Sequence, residues 1–205
     1  MELMTIEKAL AELRKDKKRK FIQTVDLIVN LKNFDVRKES LNTFIQIPNP
    51  SSKKMAGFLT RKTDLVDTIL KTDFDKYKSP AEAKRLSKKY DFFIAAAPLM
   101  GDIATRFGRV LGPVGKMPNP QAGIMPNDDD ASIKAMVEKM KKLVRIRSKE
   151  NSVKIPVGKE DLSDEQLKQN IESALHSVED KLPRKNDNVK NVLIKFTMTK
   201  SIRVK

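Results

Sequence analysis

The 205-residue chain has no cysteine, no tryptophan and a single histidine, and aromatic residues fill only 5% of its positions. Without cysteine there is no disulfide framework and no thiolate-held metal. The lone imidazole, His176, sits between Leu175 and Ser177 on a helical stretch, where neither a nucleophile nor an orienting partner can be named for it. It reads as a surface residue and not as a general base. No run of about 18 apolar residues exists, so no segment is expected to span a bilayer. Residues 1–20 are charged throughout, unlike a signal peptide with its apolar stretch. A cytoplasmic protein, with no membrane partner, is the expectation. Asn127-Asp128-Asp129-Asp130 follows no calcium-loop spacing and reads as an acidic helix start that suits the helix dipole. No metal and no cofactor are expected.

Hydrophobic residues make up 39% of the chain and charged residues 34%, with a formal net charge of +15. That is enough apolar material for a core, and the charge makes a polyanion the natural partner. Lys and Arg outnumber Asp and Glu by 12 to 7 in residues 1–54, by 16 to 11 in residues 55–143 and by 14 to 9 in residues 144–205. The excess is spread evenly, so a folded surface, not a basic tail, is expected to make the contact. The densest run, Lys17-Lys18-Arg19-Lys20, reads equally well as a solvated helix end.

Hydrophobic periodicity predicts a helix over residues 5–16, then a strand over 21–31 in which Val25, Leu27, Val29 and Leu31 alternate with Thr24, Asp26, Ile28 and Asn30. A second strand is predicted over 41–47, followed by a linker at Pro48–Ser52. The rhythm then changes. A short apolar run (55–60) precedes a predicted helix at 64–70 and a second helix opened by Ser79 and Pro80. Residues 91–97 read as a strand buried on both faces. A helix from Pro98 to about Arg109 and another over 130–142 follow, the latter with Ile133, Val137 and Met140 inward. Alternating strands and helices imply a parallel α/β domain. After Leu143 the first rhythm returns, with a strand at 153–157, a helix opened by Ser163 and Gln166, and a long strand in which Val192, Ile194, Phe196 and Met198 share one face. Neither terminal piece closes a core alone. Together they predict a discontinuous α+β domain (1–54 plus 144–205), its strands in one antiparallel or mixed sheet, interrupted by an inserted α/β domain (55–143).

The segment Gly108–Gly123, GRVLGPVGKMPNPQAG, packs four glycines and three prolines into sixteen residues. It is not a Walker loop. That motif needs glycine five residues before Gly115, where Val110 stands, and Ser or Thr after Lys116, where Met117 stands. The residues read as an ordered loop. Its basic side chains Arg106, Arg109 and Lys116 are open to two uses, phosphate contact or packing.

The stretch Leu111–Gly123 resembles the signature of the ribosomal protein L-one family, carried by Leu111, Gly112, Pro113, Gly115, Lys116, Pro118, Pro120 and Gly123. Its Gly-Lys-Met-Pro form looks archaeal. The segment from Lys20 to Asp26, Pro156-Val157-Gly158-Lys159 and Thr197-Met198 resemble further family segments, so the likeness covers essentially the whole chain. It implies a non-catalytic protein of the mobile stalk of the large ribosomal subunit, with a split β-α-β first domain and a Rossmann-like second one. The implied partners are large-subunit ribosomal RNA, the tRNA in the exit site during translocation and release, and the protein's own messenger RNA, whose translation it would repress. The implied RNA contacts are Lys20 to phosphate, Phe21 by its ring, and Thr24 and Asp26 to ribose or base. Lys149, Gly158, Lys159, Thr197, Met198, Thr199, Lys200 and Ser201 complete the set. A carboxylate such as Asp26 can accept a 2′-hydroxyl and so prefer RNA to DNA. On pattern alone, Phe21 and Met198 would both be core residues. The chain departs from the family's Thr-Met-Gly-Pro turn, having Thr199-Lys200 in place of Gly-Pro. Threonine cannot supply glycine's backbone freedom, so a different turn, or compensation by Lys200, is expected.

Overall fold

A computed structural model describes residues 4–17, 19–36, 39, 41–77, 79–120, 122–148 and 150–205. In chain order its elements are α1 (Ile6–Arg14), β1 (Thr24–Leu31), β2 (Asn42–Gln46), β3 (Met55–Phe58), β4 (Asp67–Ile69), α2 (Pro80–Lys89), β5 (Phe92–Ala96), α3 (Met100–Val114), β6 (Ile124–Met125), α4 (Asp130–Lys142), β7 (Leu143–Arg147), β8 (Ser152–Lys159), α5 (Asp164–Lys181), β9 (Val189–Phe196) and β10 (Ile202–Arg203). The molecule is mixed α/β and divides into two compact units, residues 1–51 with 142–205, and residues 52–141. Each unit has its own apolar cluster. Among the described residues no helix is long and apolar enough to cross a membrane.

The first unit is organised by β1. Period-two alternation buries Val25, Leu27, Val29 and Leu31 on one face and leaves Thr24, Asp26, Ile28 and Asn30 half-buried on the other. β1 is central in an antiparallel sheet of order β10-β9-β1-β8. Val153, Ile155 and Val157 of β8 and Val192, Ile194 and Phe196 of β9 complete the inward face, against Leu167, Ile171, Ala174 and Val178 of α5. Ser163 and Gln166 form the capping box that starts α5. Thr5 caps α1, which buries Ala9, Leu10 and Leu13. Pro156, which has no N–H to donate, is tolerated because β8 is an edge strand and its register slips beside Val25 and Asp26.

Two expectations fail in this unit. β2 does not join the sheet of β1. It pairs with β7, a strand the sequence pattern does not assign, in a separate two-stranded sheet whose Ile45 and Ile146 reach the same core. The C-terminal strand stops at Phe196 instead of running through Met198. The chain turns at Thr197–Thr199 and returns as β10, pairing Ile202 with Ile194.

The second unit holds a parallel sheet of order β4-β3-β5-β6. β3 is buried at all four residues. Phe58, Phe74, Phe93 and Phe107 cluster there, with ring centroids 5.1–5.8 Å from Phe58. The helix predicted at 64–70 is instead a loop followed by β4. β-Branched Val66, Thr68 and Ile69 favour extended backbone, and the edge of β3 supplies the pairing partner. The helix predicted to end near Arg109 runs on to Val114. Ile103, Phe107 and Leu111, at helical spacing and wholly buried, hold α3 together through its glycines. A Cβ at Gly108 or Gly112 would meet nothing, so neither glycine marks a close approach. Gly115, in the left-handed region at φ 77°, ends the helix.

Candidate nucleic-acid interface

Antiparallel pairing sets the start of a central strand beside the ends of both neighbours. Here that rule gathers residues from three distant stretches of sequence. Thr24 opens β1 opposite Lys159, which ends β8, and Val25 opposes Phe196, which ends β9. Beyond the sheet, the Thr197 hydroxyl oxygen accepts from the Thr24 backbone N–H at 3.0 Å and lies 3.3 Å from the Thr24 carbonyl, to which it donates. That hydroxyl extends the β1–β9 ladder by one rung.

Gln23, which carries no assigned role in the sequence reading, is the buried centre of this region at 3% exposure. Its side-chain oxygen accepts from the Met198 N–H at 3.1 Å. Its backbone N–H donates to the Glu160 carboxylate at 3.3 Å, and its carbonyl accepts from the Glu160 N–H at 2.9 Å. Gln23 shares the inward phase of Val25, and that parity is the only trace it leaves in the sequence. Its partners lie 137 and 175 residues away, where no local pattern reaches.

Around this buried centre stand exposed apolar side chains. Phe21 is 52% exposed, Ile22 61% and Met198 56%. Phe21 and Met198 are therefore not core residues, contrary to the pattern-based reading. Arg14, Arg19, Lys20, Phe21, Ile22, Glu160 and Asp161 line an adjoining depression of about 450 Å³. Aromatic and apolar surface among guanidinium and ammonium groups suits stacked bases beside phosphates.

Asp26 lies half-buried on the outward sheet face, opposite Lys195 and Pro156. Burial raises its pKa, and the nearby Lys195 charge opposes that only partly. Its folded-state value thus lies above its unfolded one, so the fold loses stability as pH rises from the ordinary value of 3.8 through the raised value. Asp26→Asn is therefore expected to be more stable than the parent at pH 7, and the difference should vanish below pH 3.8. Thermal unfolding of both proteins at the two pH values checks this; a parent more stable at pH 7 would refute it.

The remaining expected contacts divide. Lys159 and Ser201 are half-buried and Lys200 is exposed, all at this end of the sheet. Gly158 instead points inward, where a Cβ would come within 2.7 Å of Leu167 Cδ2 and 2.9 Å of Leu162 Cδ1. Its lack of a side chain serves packing under α5. Lys149 lies outside the described residues. Thr199 does not need glycine's freedom, since its φ is not positive. Its N–H bonds to the Phe196 carbonyl at 3.2 Å, and its hydroxyl accepts from the Phe196 N–H at 2.9 Å. The turn closes through a side chain where the related pattern has glycine.

The glycine–proline signature belongs to the second unit and is structural there. Leu111, Gly112 and Pro113 are in the last turn of α3. The Lys116 ammonium donates to the carbonyls of Ser87 at 2.8 Å and Tyr90 at 2.7 Å, where α2 ends, which is the packing use of this side chain. Pro118 is buried and Pro120 exposed. Gly123, at φ 111°, has a position where a Cβ would lie 2.7 Å from the Phe93 carbonyl. Arg106 faces Asp75 at 3.3 Å, and Arg109 is exposed.

In an open parallel sheet, small ligands bind beyond the carboxyl ends of the strands. Past the ends of β3 and β6, the Asp128 carboxylate accepts from the Thr60 N–H at 3.0 Å and from the Thr60 hydroxyl, which holds its pKa below the usual carboxylate range. Arg61 donates to the Asp128 carbonyl and pairs with Asp130 at 2.9 Å. The protein's own acids thus take the donors that a nucleotide phosphate would use. His176 is exposed and lies 3.6 Å from Asp180.

Comparison with known proteins agrees with the motif. The model of a family described as "Ribosomal protein L1p/L10e family" matches residues 13–200. The large ribosomal subunit protein uL1 of Thermococcus kodakarensis is 40% identical over 201 residues, covering 92% of this chain and 90% of its own length. That of Pyrococcus horikoshii is 39% identical, with 92% and 89% covered, and that of Nanoarchaeum equitans 36%, with 93% and 95% covered. These relatives are archaeal, as the Gly-Lys-Met-Pro form of the signature suggests. With a match over nearly its full length, the chain belongs to the ribosomal protein L1p/L10e family.

Proposed function

We propose that this protein is a non-catalytic, cytoplasmic constituent of the large ribosomal subunit that binds large-subunit ribosomal RNA at the mobile stalk, using the end of the first unit's sheet. The observation that carries this reading is the exposed Phe21 and Met198 beside the Thr24–Thr197 pairing on a basic rim. Exposed apolar surface rimmed by polar groups marks an interaction site more often than exposed apolar residues scattered singly. The ring would stack on RNA, Lys20 and Lys200 would meet phosphate, and Asp26 would accept from a ribose hydroxyl. Family membership supports the same reading, together with a place beside the exit-site tRNA during translocation and release. The same surface would serve repression of the protein's own messenger RNA, since one recognition face can hold two RNAs of like shape.

The test is sedimentation of the native chain with separated ribosomal subunits, with crosslinks mapped on the RNA. Co-sedimentation with the large subunit is expected, with crosslinks from Phe21 and Met198 to stalk RNA. Binding should weaken linearly in a log–log salt plot by about 0.7–0.9 per phosphate contact. Crosslinks that map only to the second unit would sink the assignment.

A further inference from the structure

The proposed RNA face contains acids where phosphates are to arrive. Glu160 and Asp161 line the same depression as Arg19, Lys20 and Phe21. A carboxylate there weakens attraction for a polyanion, so its presence calls for a reason. The bonding of Glu160 supplies one. Its carboxylate accepts from both the backbone N–H and the side-chain amide of Gln23, at 3.3 and 3.5 Å, and its own N–H donates to the Gln23 carbonyl. The opposite end of the Gln23 amide accepts from Met198. A primary amide donates at one atom and accepts at the other, and Gln23 uses both. On the far side, Arg14 of α1 donates to the carbonyls of Glu160 at 3.1 Å and Leu162 at 2.7 Å, and pairs with Asp164 at 2.6 Å. One chain of bonds therefore runs from α1 through Glu160 and Gln23 to the turn at Met198.

We propose that Gln23 and Glu160 form a clasp that fixes Phe21 and the Thr197–Met198 turn in their RNA-binding arrangement, with Glu160 a positioning residue that does not itself touch RNA. The proposal rests on the RNA-binding reading above. It accounts for the charge, because a carboxylate accepts from the two Gln23 donors more strongly than a neutral oxygen does. The Phe21 side chain hangs on backbone two residues before Gln23, and Met198 is bonded to Gln23 directly. Loosening the clasp therefore frees both sides of the stacking surface.

The test uses the full chain, a stalk ribosomal RNA fragment, and dissociation constants measured across a salt series. Glu160→Ala removes a negative charge, so electrostatics alone makes its binding tighter. The clasp makes it weaker, by about 3- to 10-fold for the loss of one or two hydrogen bonds, with the salt slope unchanged because the lysines remain. Gln23→Glu sets two carboxylates together and should weaken binding similarly. The double variant Gln23→Glu, Glu160→Gln exchanges amide and carboxylate and should recover most of the loss. Hydrogen exchange at the Met198 amide should rise in both single variants and fall again in the exchanged pair. Glu160→Ala binding as tightly as the parent or tighter, or an exchanged pair no better than the worse single variant, overturns the clasp. A parent chain that does not bind the fragment overturns the RNA reading, and with it the positioning role.

Discussion

Phe21→Ala is expected to weaken binding to a stalk ribosomal RNA fragment by about 10- to 100-fold, the effect of losing one base–aromatic stack. The fold should hardly notice. The ring is half exposed and lies outside the apolar cluster of the first unit, and a surface substitution of that kind costs roughly 0.5 kcal/mol or less. Phe21→Tyr keeps a π face and should bind within about threefold of the parent, whereas Phe21→Leu keeps apolar area but not the ring and should resemble alanine. Dissociation constants for the three variants, with thermal unfolding measured alongside, separate stacking from packing. If leucine binds like phenylalanine, burial and not stacking is the contribution. If alanine binds like phenylalanine, the site is wrongly placed.

Phe58→Ala is expected to produce the largest loss of stability, about 3–5 kcal/mol, and to confine it to the second unit. Phe58 is wholly buried on a fully buried strand, against Phe74, Phe93 and Phe107. Truncation leaves a cavity that three rings rooted on different elements cannot close together. A loss of that size is a large part of the roughly 5–15 kcal/mol that holds a domain folded. The two apolar clusters share no residue, so the melting transition of residues 52–141 should fall or vanish while RNA affinity changes less than about threefold. Thermal unfolding and RNA titration of the same sample would show this. A loss of RNA binding parallel to the loss of stability would mean that the surface extends into the second unit.

The sequence carried some of this clearly. Strict alternation in Val25–Leu31 and Val192–Phe196 gave both strands and their inward faces, because period-two burial is local to the strand. The caps at Ser79 and Ser163 likewise announced their helices through contacts spanning two and three residues. What failed depended on partners. Residues 67–69 are a strand because β3 lies beside them, and β7 is a strand because β2 does. Gly112 lies past the predicted end of its helix, yet Phe107 and Leu111 hold it helical from the other face. Met198 kept the phase of Phe196 on paper, but the chain turns between them. The candidate surface followed the same division. Phe21, Thr24 and Thr197 were reached through resemblance, since alternation by itself would have buried Phe21. Gln23 and Glu160 were not reached, because hydrogen bonds across 137 residues leave no periodic mark.

The place of β1 at the middle of its sheet also orders events during synthesis. Among the described residues β1 pairs with strands more than 100 residues further along the chain, opposing Lys159 through Ser152 and Phe196 through Val189. Translation at roughly 5–20 residues per second separates Thr24 from Val189 by roughly 8–30 s. Until residues 152–159 are made the central strand lacks both neighbours, and it lacks β9 for the whole interval, while the parallel sheet of the second unit has all of its strands once residue 125 is made. The strands of the second unit are thus all made before the first unit's sheet can close. On the RNA-binding reading proposed above, a chain released before residue 198 would carry basic charge but lack the Thr197 and Met198 contacts that complete the surface around Thr24 and Gln23. Recognition would then await Thr197 and Met198, and shorter fragments are expected to hold RNA through charge alone.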